Sequence, residues 1–127
     1  MKSRTWLLAI VGAVVLAATS GGILRAGGAA PRGYVVAEVT VTDPAAYKQY
    51  AAAVSPIVAK FGGRYLVRGG LTVPREGEPP AERVVVIEFA SLAAARSFED
   101  SQEYQAAMQL RHKAARSRVF LVEGVPQ

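Results

Sequence analysis

Two hydrophobic periods alternate along the chain after residue 33, and the switches between them predict its elements. Tyr34–Thr42 (YVVAEVTVT) is short and rich in β-branched residues, which predicts a strand. Val35, Ala37, Val39 and Val41 fall on one face of it, and Val36, Glu38, Thr40 and Thr42 on the other. From Asp43 the spacing changes to three and four. Tyr47, Tyr50, Ala51, Val54, Val58 and Phe61 then share one helical face. Asp43 supplies the N-cap and Pro44 the first helical position. Gly62-Gly63 ends the helix, and Pro56 inside it is expected to kink it.

Arg64–Arg68 (RYLVR) predicts a short second strand, with Arg64, Leu66 and Arg68 on one face. Gly69–Glu82 holds three glycines and three prolines and predicts a long connection. Its Arg75–Pro80 stretch is either a plain hairpin link or a lid. Arg83–Ala90 (RVVVIEFA) is almost wholly apolar, as a central strand is. Val85, Ile87 and Phe89 share one face of it, and Val84, Val86 and Glu88 the other. Ser91 caps a helix with Leu92, Ala95 and Phe98 inward. Ser101 caps its continuation, which carries Tyr104, Ala107, Met108 and Arg111. Ser117–Glu123 is the fourth strand, and Gly124 closes the domain. The order βαββαβ predicts an α+β, ferredoxin-like sandwich with an antiparallel sheet. Two helices cover only one face of such a sheet. The other, amphipathic face suits a homodimer packed sheet to sheet.

Ahead of this domain lies a different pattern. Met1–Arg4 is positive, Trp6–Ala18 is apolar apart from one glycine, and small residues follow. Residues 1–26 therefore read as a cleaved signal peptide or, over Trp6–Leu24, a membrane anchor. Residues 27–33 read as a linker and 34–127 as the domain. Either leader predicts an exported, periplasmic or extracellular domain, held at the inner membrane if the leader is uncut. The formal charge of +5 changes meaning in this light. Lys2, Arg4, Arg25 and Arg32 are four of the 15 basic residues, and none of the 10 acidic ones precedes Tyr34. The remainder has 11 against 10, too balanced for a nucleic-acid binder. The absence of cysteine excludes disulfides, thiolate nucleophiles, cysteine metal sites and a lipid-modified cysteine.

The segments Asp-Pro-x-x-Tyr (43–47), Gly-Gly-Arg-Tyr (62–65), Arg-Gly-Gly (68–70) and Ser-x-Glu-Tyr-Gln (101–105) occur in that order. With their surroundings over Gly33–Gly124 they closely resemble the bacterial DUF1330 family, a family of unknown function. The resemblance implies a dimeric α/β barrel. Its wider relatives include cofactorless monooxygenases, haem-binding chlorite-dismutase-like enzymes and muconolactone isomerases. Members usually lack an export leader. Many carry an aromatic pair before the Ser-x-Glu-Tyr segment, where this chain has Phe98-Glu99-Asp100.

Two groups of residues are candidates for chemistry. The first is a charged cluster on the outer sheet face, of Glu38, Arg64, Arg68 and Glu88. There Glu88 would meet an arginine, with Glu38 near enough for one carboxylate to raise the other's pKa. The plain alternative is an interfacial ion-pair network. The second is a pocket between helices and sheet, lined by Tyr47, Tyr50, Tyr104, Arg111 and His112. Tyrosine with arginine suits a small carboxylate or phenolic ligand; the plain alternative is a set of core tyrosines. His112 alone is a surface residue rather than a metal or haem ligand. No cofactor fingerprint is present, so no metal and no tightly held cofactor is expected. Three functions fit: an exported dimeric small-ligand-binding protein, a cofactorless monooxygenase- or isomerase-like enzyme, or a tethered envelope structural protein.

Overall fold

A computed structural model describes residues 30–127; the expected leader and the first part of the expected linker lie outside the described residues. The elements are β1 (Gly33–Val41), α1 (Pro44–Lys60), β2 (Arg64–Arg68), β3 (Arg83–Phe89), α2 (Leu92–Asp100), α3 (Gln102–Ala114) and β4 (Ala115–Glu123). The strands pair antiparallel in the order β2-β3-β1-β4. This is the α+β, ferredoxin-like arrangement, with its second helix divided at Ser101.

Local chemistry sets the boundaries. The Asp43 carboxylate accepts from the Ala46 amide at 3.1 Å, and Ser91 Oγ from the Ala94 amide at 3.0 Å. Ser101 serves two helices: its hydroxyl donates to the Phe98 carbonyl at 2.8 Å and accepts from the Tyr104 amide at 3.1 Å. That double use lets the chain turn between α2 and α3 with one residue. No loop separates α3 from β4. The Ala114 carbonyl instead accepts from the amides of Thr42 and Asp43, at 2.8 and 3.0 Å. β4 consequently starts two residues before the predicted Ser117, with Ala115 opposite Val41. α1 runs unbroken through Pro56, which is exposed, so the carbonyl that the proline leaves without a donor lies on the wet side.

The core lies between the sheet and the helices. Val35, Val39, Val85, Ile87 and Phe89 rise from the sheet to meet Val54, Val58, Ala95 and Phe98. Phe98 is the hub, with ring centroids 5.1 Å from Phe89, 4.5 Å from Tyr104 and 6.1 Å from Phe61. Such pairs add about 0.5–1.5 kcal/mol each beyond area burial.

One prediction fails at β2. The register pairs Tyr65 with Ile87 and Val67 with Val86, leaving Leu66 as an extra residue. This bulge reverses the alternation, so Arg64 and Val67 point outward while Tyr65 and Arg68 point toward the helices. Arg68 is therefore not part of an outer-face cluster. The outer face reads in rows across the strands: Arg64, Glu88, Tyr34, Val122; then Val67, Val86, Val36, Phe120; then Val84, Glu38, Arg118.

Candidate functional site

The helix-facing rows build a cavity. Its floor is Val35, Ala37, Val39, Val85 and Ile87, and α1 roofs it with Tyr47, Tyr50 and Val54. Phe98, Tyr104 and Arg111 close the α2–α3 side. The cavity volume is about 40 Å³, roughly three times what one water needs. The lining is apolar except for phenol hydroxyls and three guanidinium groups, those of Arg68, Arg83 and Arg111.

Arg111 is the exceptional residue, because it is a cation left only 5% exposed. Helical spacing from Tyr104 and Ala107 turns it inward. Its Nη1 donates to Ser117 Oγ, and its Nη2 to the Tyr104 hydroxyl at 3.4 Å. The guanidinium carbon lies 5.8 Å from the centre of the Tyr50 ring. Its Nε is buried with no hydrogen-bond partner among the described residues. Among the described residues no carboxylate forms a salt bridge with it, although Glu99 is near enough to be felt. One Glu99 carboxylate oxygen is also buried without a partner.

This environment fixes protonation. Burial pushes the Tyr50 phenol far above its ordinary value, helped by Tyr104 and opposed by Arg111. Burial likewise raises Tyr104, with Glu99 adding to the effect. Burial raises the Glu99 carboxyl, against the pull of Arg111. For Arg111 burial opposes the charge, but the phenol oxygens of Tyr104 and Tyr50 favour it more, and its pKa rises. At neutral pH the pocket thus holds proton-bearing phenols and a fixed cation. Tyr50 and Tyr104 keep their protons and do not serve as bases here.

The other two arginines stand on the β2–β3 side. Arg83 Nε donates to the Tyr47 hydroxyl at 3.2 Å. Arg68 Nη2 donates to Ser55 Oγ at 2.8 Å, and its guanidinium lies 4.2 Å from the Tyr65 ring centre. Gly69 makes room for Arg83: a β-carbon there would come within 2.4 Å of its Nη1.

The structure thus brings Tyr47, Tyr50, Tyr104 and Arg111 to one cavity, and Arg68 joins them from the group assigned to the other face. His112 does not belong with them. It follows the inward Arg111 by one residue and is exposed. Arg83, Tyr65, Ser117 and Glu99 are additions. Arg83 and Ser117 carried a signal, since each stands at even spacing from inward residues of its strand, Val85 and Val119.

On the outer face the charges form two separate pairs. Arg64 Nη2 lies 3.1 Å from Glu88, which also accepts from the Tyr34 hydroxyl at 3.4 Å. Glu38 pairs with Arg118, whose Nε donates at 2.8 Å, and accepts from the Ala81 amide at 3.2 Å. Arg118 first, and then the Ala81 amide, hold the Glu38 carboxyl below its ordinary value. The expected carboxylate pair does not form. Glu88 stands opposite Tyr34 and Glu38 opposite Val84, which is four residues, or about 13 Å, along the strand.

A split-βαβ protein with an arginine–tyrosine cavity under its helices is the class this geometry defines. The chain belongs to the DUF1330 family, a domain of unknown function, whose model matches residues 32–125. No curated protein matches it in sequence. It is similar to a Rhodopseudomonas palustris protein of unknown function, with 20% identity, TM-score 0.57, and coverage of 81% of this chain and 89% of that one. It also resembles SnoaB, a cofactor-independent oxygenase from Streptomyces nogalater, with 17% identity, TM-score 0.56, and coverage of 76% and 96%. A dimeric ferredoxin-like protein of unknown function from Thermobifida fusca shows 16% identity and TM-score 0.52, with coverage of 74% and 92%. At these identities the likeness establishes the fold.

Proposed function

We propose that the protein is a homodimeric binder of a small organic anion, a carboxylate or phenolate with a compact apolar body. The observation that carries this reading is Arg111, a buried cation lining an apolar cavity with an N–H left unpaired. A guanidinium has five donors in a fixed fork and is the natural partner of a planar anion. Desolvating a guanidinium costs several kcal/mol; here phenol oxygens offset it, and an incoming anion would add the salt bridge that the described residues do not give it. The apolar middle row of the outer face and the dimeric relative from Thermobifida fusca support the dimer. The positive start and apolar run of the first 26 residues support work outside the cytoplasm, which N-terminal sequencing of protein from cell fractions tests.

Calorimetric titration with acetate, propionate and benzoate, each beside its neutral amide, tests the binding reading. The acids are expected to bind and the amides not. Arg111→Gln is expected to weaken the acids at least tenfold. Equal binding of acid and amide, or binding indifferent to Arg111→Gln, sinks the proposal.

A second reading is a cofactorless oxygenase. The fold shared with SnoaB favours it, as do two phenols that keep their protons beside a cation. Arg111 would then hold a substrate anion while Tyr104 or Tyr50 donates a hydrogen bond to it. Oxygen uptake with bound phenols, lost in Tyr104→Phe but with binding retained, separates this from simple binding.

A further inference from the structure

We infer that the connection between β2 and β3, Gly69–Glu82, is an arm that clasps a second copy of this chain, with Leu71 and Val73 as its contact residues. This rests on the dimeric reading above and adds to it the element that completes the interface.

The arm is fastened at both ends and free between them. Gly69, at φ +71°, turns the chain out of β2, and its amide donates to the Val84 carbonyl at 2.8 Å. The returning limb is held by the Ala81 amide on Glu38, and Glu78 and Pro79 border the outer face beside Arg118. From Gly70 to Pro80, no hydrogen bond joins the arm to the other described residues. On this free stretch Leu71 is 96% exposed and Val73 70% exposed. Among the described residues, none packs over these side chains enough to bury them.

Area favours a second copy as the occupant. Four strands about 4.8 Å apart and about seven residues long give the outer face a flat footprint of about 440 Å². A standard interface takes about 800 Å² from each partner. Side-chain relief makes the accessible area of the face larger than this footprint, so the sheet alone is of marginal size, and two arms related by a two-fold axis supply apolar surface at its margin. The face itself has the right anatomy. Its middle row of Val67, Val86, Val36 and Phe120 is apolar, between the Arg64–Glu88 and Glu38–Arg118 pairs. The limb that anchors the arm touches Glu38, so arm and face are one continuous surface.

The test uses the full chain. Sedimentation equilibrium compares wild type with Leu71→Asp/Val73→Asp and with Phe120→Asp. Circular dichroism is expected to be unchanged in the arm variant, whose altered side chains are exposed. The arm variant is expected to raise the dimer dissociation constant about a hundredfold. An unchanged constant in that variant, with Phe120→Asp monomeric, overturns the arm while leaving the sheet dimer standing. A wild type that stays monomeric overturns both. A photo-crosslinking phenylalanine analogue at position 71 gives a second readout. Capture of the outer face of another copy supports the inference; capture of the same chain's first 29 residues, or of nothing, overturns it.

Discussion

Replacing Arg111 by methionine is expected to abolish anion binding without unfolding the protein. Methionine is flexible and close in length, and it removes a cation that is only 5% exposed. Two hydroxyls lose a donor. Ser117 is exposed, so water replaces Arg111 there at little cost. Tyr104 is buried, and stranding its hydroxyl costs about 1–3 kcal/mol. Against this stands the desolvation of the guanidinium, several kcal/mol for a buried ion, which the phenol oxygens of Tyr104 and Tyr50 offset. The balance is a variant within about 2 kcal/mol of wild type in the absence of ligand. Urea unfolding at pH 7, with equal slopes in both proteins, measures it. A loss of 3 kcal/mol or more would refute the reasoning, because it would make Arg111 a structural ion whose unseen partner is inside the protein.

Glu99→Gln is expected to stabilise the domain at neutral pH. Burial raises the folded-state pKa of Glu99, so its stabilising protonation is complete below the unfolded value of 4.5 and is lost as pH rises through the folded one. The gain should therefore vanish on acidification below that range, and urea midpoints across pH check it. Gly33→Ala should destabilise by about 2–3 kcal/mol, since its β-carbon would come within 2.3 Å of the Ser91 carbonyl oxygen, and main chain would have to move. A thermal melt unchanged from wild type would contradict that packing. Asp43→Ala should cost about 1 kcal/mol by removing the cap on the Ala46 amide; an unaltered urea midpoint would show the cap to be idle.

Most of the fold was readable because its signals are local. Asp43, Ser91 and Ser101 cap where a cap residue precedes a helical period, and strands begin where the period falls to two. The inward turn of Arg111 follows from the same spacing that buries Tyr104 and Ala107. The failures are pairwise. RYLVR alternates without interruption, and nothing in it marks Leu66 as extra; only the partner residues of β3 reveal the bulge that carries Arg68 into the cavity. The distance between Glu38 and Glu88 likewise depends on register. So does the Glu38–Arg118 pair, which spans 80 residues of sequence. Glu99 escaped notice because its burial arises from the packing of α2 against α3. Arg83 was read as the start of a strand rather than as a side chain with a direction.

The most direct test of the central claim observes the Arg111 Nε–H itself by nitrogen-15 NMR while a short carboxylate is added. A buried N–H without a partner is slow to exchange with water, which makes its resonance visible. The account predicts that this resonance shifts on titration with propionate, saturating together with the calorimetric signal, and stays still with propionamide. A carboxylate that binds while the Arg111 resonance does not move would contradict it.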